Sequence, residues 1–170
     1  MALHAADTGH LVFSTLHTLD AKETINRIIT QFPTEEQNRV RLSLAGVLQG
    51  VISQRLIPTI DGKRRAALEV LVRTPTIEKL ILENRDYEIR DAIEAGKEHY
   101  KSQTFDQAIL DLYNEGIISK EEALNNATSA SDVELKMNGL MTGTITDMAE
   151  ENEQKTTEIS SDDDDIFDLK

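Results

Sequence analysis

A chain of 170 residues with 39% hydrophobic and 29% charged residues has the composition of a soluble globular domain with room for a tail. It contains no cysteine, which excludes a disulfide framework and a thiolate zinc site and makes the cytoplasm the expected compartment. A formal net charge of −13 and 4% aromatic residues argue against nucleic acid as a partner, no apolar run approaches the roughly 18 residues that span a bilayer, and Met1 to His10 lacks a signal-peptide pattern, so neither membrane insertion nor export is expected.

The first informative stretch is Gly9-His10-Leu11-Val12-Phe13-Ser14-Thr15-Leu16-His17-Thr18. Its unbroken apolar run reads as a buried strand, and ligands in open parallel sheets bind just beyond the carboxyl ends of such strands. That places Thr15, His17 and Thr18 at a candidate site, with His10 at the near end. A neutral imidazole there can hydrogen-bond a phosphate or a water; the plainer alternative is that each histidine only satisfies backbone groups around the strand. His4 adds a third imidazole, but no acid or thiol completes a zinc set and no metal site is assigned.

Asp20 followed by Glu23 forms a capping box, after which Ile25, Ile28, Ile29 and Phe32 recur at helical spacing up to Pro33. Thr34 with Gln37 is expected to cap a second helix whose apolar stripe is Val40, Leu44, Val47, Leu48, Val51 and Ile52, packed on the sheet. Arg55 to Pro58 and Ala66 to Val72 flank Asp61-Gly62, a two-residue hairpin signal, so an antiparallel pair is expected to extend a parallel sheet. The triplet Lys63-Arg64-Arg65 after that turn reads as a solvated edge.

From Thr76 the pattern turns helical, with Asp86, Gly96, Gly116 and Ser119 as cap candidates and Thr104 to Gln107 and Ser119 to Glu122 as capping boxes. Beyond Met141 periodicity is lost. From Ala130 onward twelve acids face three lysines, a charge of −9, and the run Asp162 to Asp165 reads as part of a disordered, solvated tail.

The text Ala5-Ala6-Asp7-Thr8-Gly9-His10 through Thr15-Leu16-His17-Thr18, then Thr24 to Ile29 and Phe32-Pro33, resembles the histidine box of the type II/IV secretion ATPases, most of all the type IV pilus retraction (twitching motility) motors of the PilT and PilU kind. Ile52-Ser53-Gln54-Arg55-Leu56, Gln103 to Ala108, Leu110 to Tyr113 and Glu121 to Leu124 extend the resemblance to about Lys136. It implies an α/β fold: the C-terminal part of a RecA-like P-loop NTPase core over residues 1–75, a helical bundle over 76–140, and the acidic tail over 141–170. It also implies hexameric ATPase motors, homo- or hetero-oligomeric, on the inner face of the bacterial inner membrane, with the pilus platform protein as a further partner.

By the same resemblance His10 and His17 are the catalytic candidates, Thr15 and Thr18 lie near the nucleotide, and ATP with Mg2+ are the ligands of the complete motor. In the family the phosphate-binding loop, the aspartate box and the Walker B acid precede the histidine box. No Gly-x-x-x-x-Gly-Lys-Ser/Thr occurs in these residues, so the chain by itself is expected to bind ATP weakly and not to hydrolyse it. Thr76 to Glu83 lies where the PilT kind carries Ala-Ile-Arg-Asn-Leu-Ile-Arg-Glu, with Glu78 and Leu82 standing in place of the two arginines; this degenerate motif together with Ser131-Asp132-Val133-Glu134-Leu135 resembles the PilU kind more closely. The competing expectation is a non-catalytic module whose bundle and tail bind motor subunits.

Overall fold

A computed structural model describes residues 2–139. The expected tail, 141–170, lies outside the described residues. In chain order the elements are α1 (Ala2–Asp7), α2 (Ala21–Thr30), α3 (Thr34–Val47), β1 (Gly50–Pro58), β2 (Arg64–Val72), α4 (Pro75–Leu82), a 3-10 turn (Asp86–Glu88), α5 (Ile89–Ala95), α6 (Lys97–Tyr100), α7 (Phe105–Asn114), α8 (Lys120–Asn126) and α9 (Ala130–Met137).

Local chemistry sets most of these boundaries. Asp20 caps α2 by accepting from Glu23 N at 2.7 Å, and Thr104 and Gln107 form a complete capping box at α7. Ser119 caps α8 through Glu122 N. Thr74 caps α4 through Ile77 N, directly before Pro75 in the first helical position. Helix α7 ends on Gly116 (φ +70°), with Ile117 N donating to Leu112 O and Gly116 N to Tyr113 O, the paired bonds of a Schellman motif. Asn84 (φ +58°) ends α4 in the same way.

Residues up to Val133 form one compact unit. Its main core joins Ala21, Ile25 and Ile29 of α2, Val40, Leu44 and Ala45 of α3, Leu71 of β2, Ile77, Leu80 and Ile81 of α4, and Ile89 and Ile93 of α5. Each fully buried aliphatic side chain contributes about 1.5–3 kcal/mol. The hairpin pairs antiparallel from Gly50↔Val72 to Pro58↔Arg64. Ser53, Ile57, Ala67, Glu69 and Leu71 are buried on one face, whereas Ile52 and Leu56 on the other are exposed. Helix α7 packs on β2, and α8 on α7 and β1.

Six sequence expectations need correction. Gly9 to Thr18 is not a strand: no regular structure is assigned from His10 to Thr18, and Leu11 and Phe13 are 80% and 88% exposed. A strand needs a neighbour to satisfy its N–H and C=O groups, and the sheet among the described residues is the two-stranded β1–β2 pair. For the same reason the hairpin extends no parallel sheet among these residues. Val51 and Ile52 belong to β1 rather than α3, because the chain leaves the helix at Leu48 (ψ 127°) and β-branched residues suit the pleated ladder that follows. Thr34 is the first residue of α3, not its cap; Pro33 holds that position, and Gln37 instead donates to Phe32 O. The hairpin turn is the three-residue loop Ile60-Asp61-Gly62, closed by Thr59 N to Lys63 O at 3.0 Å with Gly62 at φ +78°, so Asp61-Gly62 is part of the turn and not the whole of it. Asp86 caps nothing: it opens the 3-10 turn, and its carboxylate pairs with Arg41.

Candidate functional site

The segment carrying the predicted site residues is tied down at both ends and open between. At its start α1 ends in a Schellman motif: Gly9 takes φ +90°, Gly9 N donates to Ala6 O, and His10 N donates to Ala5 O. The His10 ring returns to the same helix end, with Nδ1 3.1 Å from Thr8 Oγ1 and 3.2 Å from Ala5 O. A carbonyl accepts only, and the Thr8 hydroxyl spends its proton on Ala5 O. Nδ1 must therefore carry the proton, which leaves Nε2 of the neutral ring as an acceptor.

At the far end Thr18 Oγ1 lies 2.6 Å from Thr24 Oγ1, and Thr24 donates its own proton to Asp20 O at 2.8 Å. Thr18 is thus the donor, and its hydroxyl anchors the segment to the first turn of α2. That turn is anchored in depth by Glu69 on β2, whose Oε1 accepts from Ala21 N at 2.8 Å. Burial pushes the Glu69 carboxyl above its usual range, and the charge of Asp20 adds to the rise; the Ala21 N–H, Arg55 and Arg90 pull the other way. Leu19 N is held by Glu23 Oε2 at 2.8 Å, which closes the entry to the helix.

Between the anchors, Thr15 and His17 are exposed. The arrangement presents one imidazole acceptor of fixed tautomer, a second imidazole open to solvent and one outward hydroxyl. Such a donor and acceptor set can orient a water or meet a phosphate oxygen, but it has no ring of backbone amides and no lysine to hold a polyphosphate. His10, Thr15, His17 and Thr18 share one segment, and Thr18 serves as its anchor. His4 is exposed on α1, and no cluster of His, Asp or Glu among the described residues forms a metal set.

Glu69 escaped the sequence reading. Its signal was an acid on the inward register of an otherwise apolar strand, between Ala67 and Leu71. In α4 the reversed charge of Glu78 is met within the chain, since Arg73 Nη2 donates to its Oε2 at 2.6 Å, and Leu82 is partly exposed. Of the basic triplet, Lys63 pairs with Asp61 at 2.8 Å and holds the Asp61 carboxyl below its usual range, with the Thr59 hydroxyl helping.

Comparison with known proteins gives a consistent set of relatives. The family described as type II/IV secretion system protein matches residues 1–125. The chain is 46% identical over 127 residues to the type IV pilus retraction ATPase PilT of Pseudomonas aeruginosa, covering 75% of this chain and 37% of that protein. It is 41% identical over 135 residues to the type IV pilus ATPase PilU of the same organism, covering 79% of this chain and 35% of that one. A crystal structure of the pilus retraction motor PilT with bound ADP superposes with a TM-score of 0.69 at 41% identity, over 78% of this chain and 37% of that one. The chain thus spans about a third of the length of the relatives it matches.

Proposed function

This chain belongs to the type II/IV secretion system protein family, and from that premise we propose that it serves as part of a motor subunit that uses ATP hydrolysis to retract type IV pili. The supporting observation is the segment from His10 to Thr18, fixed at both ends and open between, with its histidines and its apolar residues Leu11 and Phe13 outward. A segment built in this way is suited to meet a second polypeptide surface, the one that carries the phosphate-binding loop.

On this reading residues 1–75 form the closing part of a RecA-like core and 76–140 a helical bundle. Motor subunits assemble as a homo- or hetero-hexamer beneath the inner membrane and engage the platform protein of the pilus. Bound ATP with Mg2+ supplies the γ-phosphoryl group; the chain's own residues supply contacts at its edge. His10, with Nδ1 committed to α1, accepts a hydrogen bond from water through Nε2. His17 and Thr15 donate toward the phosphate side, and Thr18 holds the segment in place through Thr24. Catalysis of phosphoryl transfer rests on positioning and electrostatics, so the histidines register the state of the nucleotide and pass it through Thr18 and α2 to β2. The charge pattern at Glu78 and Leu82 favours a companion motor of the PilU kind.

A chimera tests this. Residues 2–139, placed in a retraction motor in exchange for their counterparts, should restore twitching motility to a strain lacking that motor. A chimera that assembles and hydrolyses ATP but gives no retraction would overturn the proposal.

A further inference from the structure

Backbone bonds at its two ends set the phase of the hairpin. Arg73 N donates to Gln49 O and Thr59 N to Lys63 O, so in the register from Gly50↔Val72 to Pro58↔Arg64 the odd-numbered residues of β1 exchange the ladder bonds with β2. The even-numbered residues Ile52, Gln54 and Leu56 therefore turn their N–H and C=O groups away from β2. Among the described residues no backbone group meets them there.

The opposite edge of the sheet is engaged. Val70 and Gln103 exchange backbone bonds at 2.8 and 3.0 Å, and the Gln103 side-chain amide donates to Leu68 O at 2.8 Å. An open edge is usually protected by an outward charge, a bulge or a proline. From Gly50 to Ile57 β1 has none of these: the register is unbroken, and Arg55, the charged residue of the strand, lies over the Phe105 ring at 3.9 Å and donates to Asn126 O. Pro58 stands only at the tip end. The residues with outward backbone groups also carry apolar side chains, with Ile52 72% and Leu56 51% exposed.

We propose that the free edge of β1 takes up a strand from the polypeptide that carries the phosphate-binding loop, so that the sheet grows on that side and new apolar side chains cover Ile52 and Leu56. This rests on the reading of the chain as part of a motor subunit. The outward N–H and C=O groups of Ile52, Gln54 and Leu56 supply main-chain hydrogen bonds, and the side chains beside them supply specificity. A second copy of this chain, joined edge to edge, would leave Leu11 and Phe13 of the histidine segment uncovered. The phosphate-loop portion accounts for both surfaces, and α2 links them, since its first turn anchors Thr18 and the helix packs on both strands.

The test coexpresses the 170-residue chain with the phosphate-loop part of Pseudomonas aeruginosa PilT and follows amide hydrogen exchange residue by residue. In the complex the amides of Ile52, Gln54 and Leu56 should slow by roughly tenfold or more, and those of Ser53 and Arg55, already in the ladder, should change less. Gln54→Pro deletes an N–H that the ladder does not use, and should lower recovery of the complex roughly tenfold while the chain alone melts as before. The joint substitution Ile52→Lys, Leu56→Lys alters exposed side chains only and should have the same effect on recovery. A complex that forms without slowing these amides, or that is indifferent to both variants, overturns the strand pairing and leaves the motor reading standing. Slowed exchange of the same amides in the chain alone, through pairing with its own copy, also overturns it. Failure of any complex to form overturns both.

Discussion

The backbone N–H of Ala21 donates to Glu69 Oε1 at 2.8 Å across 48 residues of sequence, in a buried hydrogen bond that joins the first turn of α2 to the inner face of β2. Helix starts leave several N–H groups without partners, and here an acid from a distant strand fills one of those places. The position of the histidine segment depends on this bond at one remove, since Thr18 is anchored on the same turn.

Glu69 should leave a signature in the pH dependence of stability. Its folded pKa is raised above the ordinary 4.5, first by burial and then by Asp20. Between 4.5 and that raised value the native state binds more protons than the unfolded chain, so the carboxyl's contribution is full below 4.5 and is lost as pH rises through the folded pKa. Glu69→Gln keeps an acceptor for Ala21 N and removes this decline. Thermal melts from about pH 4 to about pH 7 should show the variant gaining on the natural chain as pH rises; a difference that stays flat across that range would show that Glu69 does not titrate with folding.

Thr18→Val removes the donor to Thr24 while leaving the Thr24 to Asp20 bond in place. The expected loss is about 0.5–1.5 kcal/mol of stability. The sharper readout is local: limited proteolysis between Leu11 and His17 should accelerate while α2 stays protected. Unchanged cleavage would mean that Thr18 is not the anchor.

Arg41 reaches Asp86 through two hydrogen bonds, at 2.9 and 3.1 Å, and also donates to Ile81 O at 3.0 Å, joining α3 to the end of α4. Both side chains are largely covered, at 12% and 15% exposure. Asp86→Ala leaves the guanidinium without its partner and should cost about 3–5 kcal/mol in urea unfolding, whereas the joint change Arg41→Met, Asp86→Leu should recover most of it. Equal losses for the single and double variants would assign the cost to packing instead of the pair.

Local signals were readable wherever a single turn decides the outcome. Asp20, Thr104 and Ser119 each cap their helix as expected, but only Thr104 with Gln107 completes the expected box, because Glu23 accepts from Leu19 N and Glu122 from Asn126 instead of from the cap residue; the stripe of Ile25 and Ile29 is buried as its spacing implies. The histidine-box letters pointed to the family that the comparisons show. Signals that depend on a distant neighbour were not readable. An apolar run such as Leu11 to Phe13 has the same composition whether or not a strand lies beside it, so its exposure was hidden. The shift of Val51 and Ile52 from helix to strand turns on pairing with Leu71 and Val70, which periodicity cannot see. Glu69 looked like one polar letter in a strand, and its register against Ser53 was needed to turn it inward.

The most direct measurement is magnesium-dependent phosphate release by this chain combined with the phosphate-loop portion of a retraction motor, with and without His17→Ala. His17 is exposed and packs little apolar area, so its removal should leave the melting temperature of the complex unchanged. Turnover should fall by roughly tenfold or more if the imidazole contacts the nucleotide or its attacking water. Restored hydrolysis that drops on this substitution, with normal melting, is the expected result. Hydrolysis that is restored but indifferent to His17→Ala, or that no phosphate-loop partner restores, would contradict a role for this segment at the nucleotide.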